Sequence, residues 1–402
     1  MNVLLSFKSC VLVTASLVAV TSTNATGATH LKSTKSLPRS QAVCSPTKAN
    51  EVRCDAVIDT TPSAGAASPV STVPIGFGPA EFHHAYNLPT RSRRKNPVIA
   101  IVGAYDNPDS KNDLDVYNQT FGLPYFPSCG STIKTSCYQK VTQAKVMTTN
   151  QSWIVESSLD VQTSHQICQN CKIILVEAAT SNIEDMIWAN DKAVSLGANV
   201  VNDSWGRGES SATKDYDTHF SRLGVTFVAS SGDSGYNSHY PASSPYFTAV
   251  GGTSLLLDSS KNWLKETAWA KGGSNCSINE PKPVFQKDTG CTRRSVADVS
   301  ADADDEVSGA AIYDTFGIDG VGGWLKLGGT SLAAPLISGV YGLSAASPGR
   351  GNSLPYLHGN SANLHDVQAG TNGGCTTYIC LAGTGYDGPT GLGTPNGLTA
   401  FQ

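Results

Sequence analysis

The stretch GGTSLAAPLISGVYGL, residues 328–343, combines a glycine turn, a serine and an apolar run. Glycines let the backbone approach a neighbouring group closely, and Ser331 stands where a buried helix is predicted to begin. Pro335 is tolerated in this helix because the amides of a first turn have no helical partner. A helix N-terminus also favours negative charge that develops beside Ser331. Ser331 is therefore a candidate nucleophile, although a capping serine before an alanine-rich core helix would give the same sequence.

A serine nucleophile needs a base that removes its proton. None of the eight histidines lies in an HGTH-like segment. The segment SWIVESSLDVQTSHQ, residues 152–166, instead places Glu156 and Asp160 four residues apart, on one face of a predicted helix. Two carboxyls held this close share a proton and titrate as a coupled pair. We therefore predict that Glu156 accepts the proton of Ser331 in acid, and that Asp160 orients Glu156 and shares its charge.

Two other interpretations of the same segment are open. Glu156 and Asp160 would also suit a solvated acidic face of a helix. A neutral serine protease would instead use His165 as its base. Position 165 is rotated by about 140° from position 160 on an α-helix, so we expect His165 to face elsewhere.

A third carboxyl follows a predicted buried strand in VTFVASSGDSGYNS, residues 225–238. An ionised Asp233 would repel a tetrahedral oxyanion, whereas a protonated Asp233 would donate a hydrogen bond to it. We predict the protonated form and this stabilising role. The letters GDSGY also resemble the nucleophile loop of chymotrypsin-like proteases, which would make Ser234 the nucleophile, but that family needs an AAHC-like histidine segment and an all-β chain. A polar turn is the remaining interpretation.

Composition limits the classes of protein that this chain fits. Of its 402 residues, 40% are hydrophobic and 15% are charged, which allows a sizeable core. The net charge of −4, without a long run of Lys or Arg, gives no basis for nucleic-acid binding. Lys8, an apolar run over 10–20 and the small residues that follow predict a signal peptide over 1–26. No later apolar run is long enough to span a bilayer, so we predict a secreted, extracellular monomer without membrane contact.

The cysteines support export. Of the 11 cysteines, Cys10 lies in the predicted signal, and the other ten fall in close sequential pairs. These pairs are Cys44 with Cys54, Cys129 with Cys137, Cys168 with Cys171, Cys276 with Cys291, and Cys375 with Cys380. Five local disulfides are the simplest interpretation in an oxidising compartment, although spacing does not prove connectivity. A redox role for CQNC, residues 168–171, is the alternative for one pair.

The chain divides into an arm and a globular part. Residues 27–75 are rich in Ser, Thr, Ala and Pro, which predicts a short, loosely ordered arm closed by a disulfide. From residue 76 to residue 402, apolar strands over 97–105, 171–178, 198–205 and 225–232 alternate with helical patterns over 152–167, 182–196 and 213–223. This alternation predicts an α/β fold with a parallel sheet covered by helices on both faces. Catalytic groups in such folds gather at the carboxyl ends of the strands.

The ordered motifs ESSLD, SSGDSG and GGTSLAAP resemble those of the sedolisin family, the serine-carboxyl peptidases. The resemblance runs from about Gly76 to the C-terminus and also takes in PAEFHHAYNLP, VVNDSWGRGE, RSVADVSADAD and YDGPTGLGTPNG. It implies a subtilisin-like parallel sheet and an endopeptidase or tripeptidyl-peptidase that acts in acid on proteins or peptides. It assigns the triad to Glu156, Asp160 and Ser331 and the oxyanion aspartate to Asp233. Segment 204–209 would line the substrate cleft.

The same resemblance implies one structural calcium ion near the C-terminus. Asp366 and Asp387 would supply carboxylates, and Val367, Gly383 and Gly385 would supply main-chain carbonyls. An Asp that caps a turn is the competing interpretation of these residues. Many members of the family carry a long N-terminal prodomain, and residues 28–75 are too short for one. The alternative to an enzyme is a catalytically silent secreted binding protein with the same fold.

Overall fold

Buried strands alternate with helices from Val98 onward, and this alternation builds the main sheet. The computed structural model describes residues 39–45, 48, 50–61, 69–132, 134–237, 239–344 and 351–402. The predicted signal peptide, residues 1–26, lies outside the described residues. All the described residues belong to one compact unit, Pro38–Gln402. The division of the chain at residues 26 and 75 stays a prediction.

The strands are β1 (Ser40–Ala42), β2 (Arg53–Cys54), β3 (Val57–Asp59), β4 (Val98–Ala104), β5 (Tyr138–Thr142), β6 (Lys172–Ala178), β7 (Val200–Asp203), β8 (Trp205–Gly206), β9 (Thr226–Ser230), β10 (Phe247–Leu257), β11 (Trp263–Ala268), β12 (Asn275–Cys276), β13 (Ser295–Val296), β14 (Val299–Asp302), β15 (Ala310–Ile318), β16 (Val321–Gly328), β17 (Leu364–His365) and β18 (Thr394–Pro395). The α-helices are α1 (Pro79–Ala85), α2 (Ser110–Phe121), α3 (Gln151–Ile167), α4 (Ile183–Ser195), α5 (Asp217–Phe220), α6 (Thr330–Leu343) and α7 (Leu354–His358).

Six parallel strands form the main sheet, in the order β5-β6-β4-β7-β9-β10. The antiparallel strand β11 extends the sheet beyond β10, and β14 also pairs with β10 in parallel. Every residue of β4 except the first is buried, as expected for a strand covered on both faces. The predicted α/β class with a parallel sheet is therefore confirmed.

Helices α3 and α6 pack against each other and against the sheet, while α4 packs on β4 and β6. The four predicted strands agree with β4, β6, β7 and β9 to within about two residues at each end. The helix predicted over 213–223 is shorter, because a 3₁₀ turn at Thr213–Tyr216 precedes α5. The carboxyl ends of β7 and β9 lie near the N-terminus of α6, which positions the candidate site.

The N-terminal arm differs from the loosely ordered segment expected from its composition. Strands β1 and β3 pair with each other, and β3 joins the β15–β16 hairpin to make a second, four-stranded sheet. Val57 and Ile58 of β3 are buried, each 3% exposed. The arm is ordered over 50–61 because this apolar run adds an edge to the hairpin.

All five predicted disulfides are present, with the predicted connectivity. The redox alternative for CQNC is disfavoured because Cys168 and Cys171 are fully buried, and a redox pair needs access for a thiol partner. Among the described residues, no helix combines the length and the apolar character needed to cross a membrane.

Candidate active site

The N-terminus of α6 holds Ser331 in the interior of the molecule. Gly329 precedes the helix with a φ of +88°, and a Cβ at this position would lie within 3.0 Å of the Asp55 carbonyl oxygen. The Ser331 hydroxyl donates a hydrogen bond to the Ser204 carbonyl oxygen at 3.0 Å and accepts one from the Asp55 N–H, also at 3.0 Å. The glycine turn thus lets a foreign peptide group approach the hydroxyl of Ser331.

Glu156 and Asp160 lie on α3, beside Ser331, and are 2% and 1% exposed. The Ser204 hydroxyl donates a hydrogen bond to Asp160 Oδ1 at 2.6 Å. Neither carboxyl oxygen of Glu156 has a hydrogen-bond partner within the part of the chain that the structure describes. A solvated acidic face is therefore the wrong interpretation of these residues, which point into the interior instead.

The two carboxyls are held in an environment that favours their neutral forms. Burial raises the pKa of Glu156 well above its usual range, the charge of Asp160 raises it further, and the nearby Ser331 hydroxyl opposes the rise. Burial also raises the pKa of Asp160, against hydrogen bonds from Ser204 and Asn202. Because the two groups interact, they titrate as a pair that retains a proton where free carboxyls would have lost it.

Asp233 lies in the glycine loop that follows β9. Its Oδ1 accepts hydrogen bonds from the Thr330 N–H and hydroxyl, both at 2.8 Å. Its Oδ2 is buried and has no hydrogen-bond partner among the described residues. Burial raises the pKa of Asp233 well above its usual range, and the charge of Asp55 adds to the rise, while Thr330 opposes it. A protonated Asp233 therefore has one oxygen free to donate a hydrogen bond.

Part of the N-terminal arm crosses this site. Strand β2 pairs antiparallel with β8, which belongs to the segment 204–209 that was expected to line the substrate cleft. The Asp55 N–H extends this ladder by donating to the Ser204 carbonyl oxygen at 3.2 Å. Further along the arm, β3 pairs with the end of β16, directly before Gly329. Residues 53–59 therefore lie across the site and are held on both sides of it.

The Asp55 carbonyl oxygen lies at the N-terminus of α6. The Ser331 N–H donates a hydrogen bond to it at 3.1 Å. This oxygen and Asp233 Oδ2 both lie within 3.0 Å of the point that a Cβ of Gly329 would occupy. The unpartnered oxygen of Asp233 therefore faces the same carbonyl. The peptide bond that joins Asp55 to Ala56 therefore lies beside the Ser331 N–H and near Asp233 Oδ2.

The arm was not predicted from the sequence to be part of the site. One signal was available: residues 56–58, AVI, are an apolar run inside a polar stretch, and a predicted disulfide fixes Cys54 two residues before it. A buried strand in the arm follows from that signal. Its partners β8 and β16 do not follow, because no local pattern indicates which distant strands an isolated short strand will join.

The alternative catalytic assignments do not fit the geometry. His165 is fully buried and stacks on Phe126, with ring centroids 4.0 Å apart, and burial lowers the pKa of His165 to about 3. Ser234 accepts a hydrogen bond from Arg53 of the arm at 2.9 Å. The parallel sheet also differs from the all-β chain that a Ser234 nucleophile would require.

The segments predicted to bind calcium meet in one loop cluster. The Gly385 N–H donates to both carboxyl oxygens of Asp366, at 3.1 Å each, and the Gly383 N–H donates to Asp387 Oδ2 at 2.9 Å. Val367 and Asp387 are buried, each 1% exposed. No group of three or more His, Cys, Asp or Glu side chains that could hold a metal exists among the described residues. Two carboxylates with main-chain carbonyls are a different donor set, and calcium stays a prediction.

A protein-family profile and several known proteins are similar to this chain. The profile described as Subtilase family matches residues 146–349, just over half of the chain, and this match includes the four predicted catalytic residues. The chain belongs to the subtilase family. Sedolisin of Pseudomonas sp. (strain 101) is 28% identical to this subtilase over 366 residues, and the match covers 79% of this chain and 60% of that protein. Kumamolisin of Bacillus sp. (strain MN-32) is 26% identical over 381 residues, and the match covers 83% of this chain and 64% of that protein.

A solved structure of Pseudomonas sedolisin, in complex with two molecules of pseudo-iodotyrostatin, has a TM-score of 0.66 to this subtilase at 28% identity. The match covers 81% of this chain and 96% of that one. The resemblance to the sedolisin family and the subtilisin-like fold are thus confirmed. A third relative, tripeptidyl-peptidase sed1 of Aspergillus fumigatus, is 29% identical over 221 residues, 43% of this chain and 34% of that protein. The chain spans 60% and 64% of the length of the first two relatives.

Proposed function

We propose that this subtilase is a secreted serine-carboxyl peptidase that hydrolyses peptide bonds in acid. Ser331 Oγ attacks the substrate carbonyl carbon, and its proton passes to the carboxylate of Glu156. Asp160 shares the charge of Glu156. The tetrahedral oxyanion accepts hydrogen bonds from the Ser331 N–H and from protonated Asp233. Glu156 returns the proton to the leaving amine, and a water molecule activated by Glu156 then releases the acyl group from Ser331.

The observation that carries this proposal is the peptide group of Asp55 at Ser331. The Asp55 carbonyl oxygen accepts a hydrogen bond from the Ser331 N–H at 3.1 Å, and the Asp55 N–H donates to the Ser204 carbonyl oxygen at 3.2 Å. A peptide in this position needs an attacking oxygen, a donor for the oxyanion and a proton acceptor. We assign these roles to Ser331, Asp233 and Glu156, which lie near it.

The proposed acid range follows from the protonation states that the mechanism needs. Asp233 has to keep its proton in order to donate a hydrogen bond, so activity is lost as the pH rises through its pKa. The pair of Glu156 and Asp160 has to keep one negative charge, so activity is also lost when the pH falls far enough to protonate both. The raised pKa values of all three groups set both limits above those of free carboxyls.

The course of the arm supports cleavage within a chain rather than removal of tripeptides. The chain continues on the N-terminal side of Arg53, where the Val52 N–H donates to the Ser181 carbonyl at 2.8 Å and Glu51 pairs with Asn182. A tripeptidyl-peptidase needs a closed cleft beyond the third residue before the cleaved bond. We therefore propose an endopeptidase whose substrates are proteins or long peptides.

One structural calcium ion is the second part of the proposal. Asp366 and Asp387 contribute two hard oxygen ligands from the same loop cluster, and the buried Asp387 gains from a nearby cation. Carbonyl oxygens of Val367, Gly383 and Gly385 would complete the site. The ion would tie the two loops together and would take no part in the reaction.

A cleavage assay tests the proposed activity. The secreted chain is incubated with denatured protein from pH 2 to pH 8, beside Ser331→Ala and the matched control Ser157→Ala. The Ser157 hydroxyl donates to the backbone of its own helix at 2.7 Å, so its loss is expected to leave the rate unchanged. Cleavage by wild type and Ser157→Ala, but not by Ser331→Ala, is the expected result. No cleavage at any pH would support the silent binding protein instead.

A further inference from the structure

The side chain of Asp55 enters a pocket beside the candidate active site and is fully buried there. The Ser230 hydroxyl donates a hydrogen bond to Asp55 Oδ2 at 2.7 Å. Asp55 Oδ1 lies 3.3 Å from His239 Nε2, within the distance of an ion pair. The pocket thus offers a hydroxyl to one carboxylate oxygen and an imidazole to the other.

Two glycines make room for this imidazole. A Cβ at Gly206 would overlap the ring of His239, and a Cβ at Gly232 would lie 2.6 Å from its Nε2. His239 is 5% exposed, and neither ring nitrogen has an aligned hydrogen-bond partner among the described residues. The ring is therefore built into the pocket wall between β8 and the loop after β9, with Nε2 available to a group that enters.

The carboxyls around the pocket explain why the Asp55 carboxyl needs partners there. The carboxyls of Glu156 and Asp233 lie close enough that the charge of Asp55 is among the causes that raise the pKa of each. A buried carboxylate beside two other carboxyls is costly unless it is paired and hydrogen-bonded. Ser230 and His239 supply both interactions to Asp55.

We propose that this pocket binds the side chain that precedes the cleaved bond, and that it selects aspartate or glutamate there. The inference rests on the proposed function and names its substrate class: polypeptides cleaved after an acidic residue. His239 is the specificity residue, because its Nε2 lies 3.3 Å from the Asp55 carboxyl oxygen and has no aligned hydrogen-bond partner among the described residues. A leucine in the pocket would leave His239 and Ser230 buried without a partner, which penalises the wrong substrate.

Matched peptides test the preference. Internally quenched peptides carry the sequence around Asp55, with serine in place of cysteine, and differ only in having Asp, Glu, Asn, Leu or Lys before the bond. For the wild type we expect kcat/KM to be at least about tenfold higher with Asp and Glu than with Asn and Leu. Asn has the shape of Asp without its charge, so this pair isolates the ionic contact. Equal or faster cleavage of the Leu or Asn peptide would overturn the inference.

Variants of two pocket residues test which side chains cause the preference for an acidic residue before the cleaved bond. His239→Gln keeps the approximate size of the residue but removes the imidazole, and should lower kcat/KM for the Asp peptide by about tenfold or more while the Leu peptide changes little. Ser230→Ala should lower it less, because a hydroxyl contributes one neutral donor. An equal effect of His239→Gln on every peptide would show a structural role and contradict the assignment.

A second measurement does not depend on catalysis. In the Ser331→Ala background, Asp55→Asn should weaken the seating of the arm, so that the amides of residues 53–56 exchange hydrogen about tenfold faster. Unchanged exchange would contradict the ionic contact. Wild-type cleavage without an acidic preference would overturn this inference alone, whereas no cleavage of any peptide would overturn the proposed function together with it.

Discussion

Glu156 is a carboxyl held in the interior without a hydrogen-bond partner among the described residues. A polar group buried in this way costs about 1–3 kcal/mol. The predicted role of Glu156 explains why this cost is tolerated, because a base beside Ser331 has to keep an oxygen free to accept the proton. The i and i+4 spacing predicted that Glu156 and Asp160 share one helix face, but only together with Ser331 did it favour a buried pair over a solvated acidic face. The pocket residue His239 carries no motif, and only the folded chain places it near Ser230.

One prediction concerns the side chain of Asp233 alone. Asp233→Ala removes one of two donors to the oxyanion and should lower kcat by about 10²–10³-fold, with little change in KM. Asp233→Asn keeps an N–H donor that does not titrate, so its loss should be smaller and its activity should persist to higher pH. Steady-state kinetics from pH 3 to pH 8 measure both effects. Equal losses for the two variants would argue against a donor role.

At the scale of elements, the sequence predicted the central strands well because each has its own apolar run. The strands of the arm could not be placed, because β2 and β3 pair with β8 and β16, which are far away in the chain. The arm therefore changes the expected site from an open cleft to one that already contains an extended segment.

A further prediction concerns how firmly the arm is held in the site. Ile58→Ala removes a buried side chain from β3, which typically costs about 2–5 kcal/mol when the structure cannot relax. The loosened arm should leave the site more often, and added peptide should be cleaved faster from the start of the reaction. Gln41→Ala, an exposed position on β1, is the matched control. Equal initial rates for wild type and Ile58→Ala would show that the arm does not limit access.

Another prediction concerns the two loops that are proposed to bind calcium. Removal of calcium with excess EDTA should lower the melting temperature, because a ligand present at about 100 times its Kd contributes about 2.7 kcal/mol. Asp366→Asn should reduce the response to calcium, since it removes one of the two carboxylates. Differential scanning calorimetry with and without calcium measures the shift. An identical melting temperature after prolonged incubation with EDTA would contradict the proposed calcium site.

The described part of the molecule contains several buried carboxyls with raised pKa values. Besides Glu156, Asp160 and Asp233, burial raises the pKa of Glu177 to about 7 and that of Asp113 to about 7. The unfolded chain would lose these protons near pH 4, whereas the folded chain keeps them to higher pH. Their stabilisation is therefore complete below the unfolded pKa values and is lost as the pH rises through the folded ones.

The free energy of unfolding should accordingly be higher near pH 5 than at pH 8. Each unit of pKa difference is equivalent to about 1.4 kcal/mol for the group concerned, so the summed change is several kcal/mol. Urea denaturation of Ser331→Ala, which avoids self-digestion, measures it at both pH values. Adding Glu156→Gln to this background should flatten the dependence. A free energy of unfolding that rises from pH 5 to pH 8 would contradict the raised pKa values.

The measurement that tests the central claim most directly is kcat as a function of pH for wild type and Glu156→Gln. Glutamine has the size of glutamate but cannot accept the Ser331 proton, and loss of a general base lowers rates by about 10²–10⁴-fold. Glu177→Gln, a buried change with no contact to Ser331, is the control. We expect kcat of the wild type to reach its maximum in acid, and we expect Glu156→Gln to lower kcat by about 10²–10⁴-fold. A maximum at neutral pH, together with full activity of Glu156→Gln, would contradict this claim.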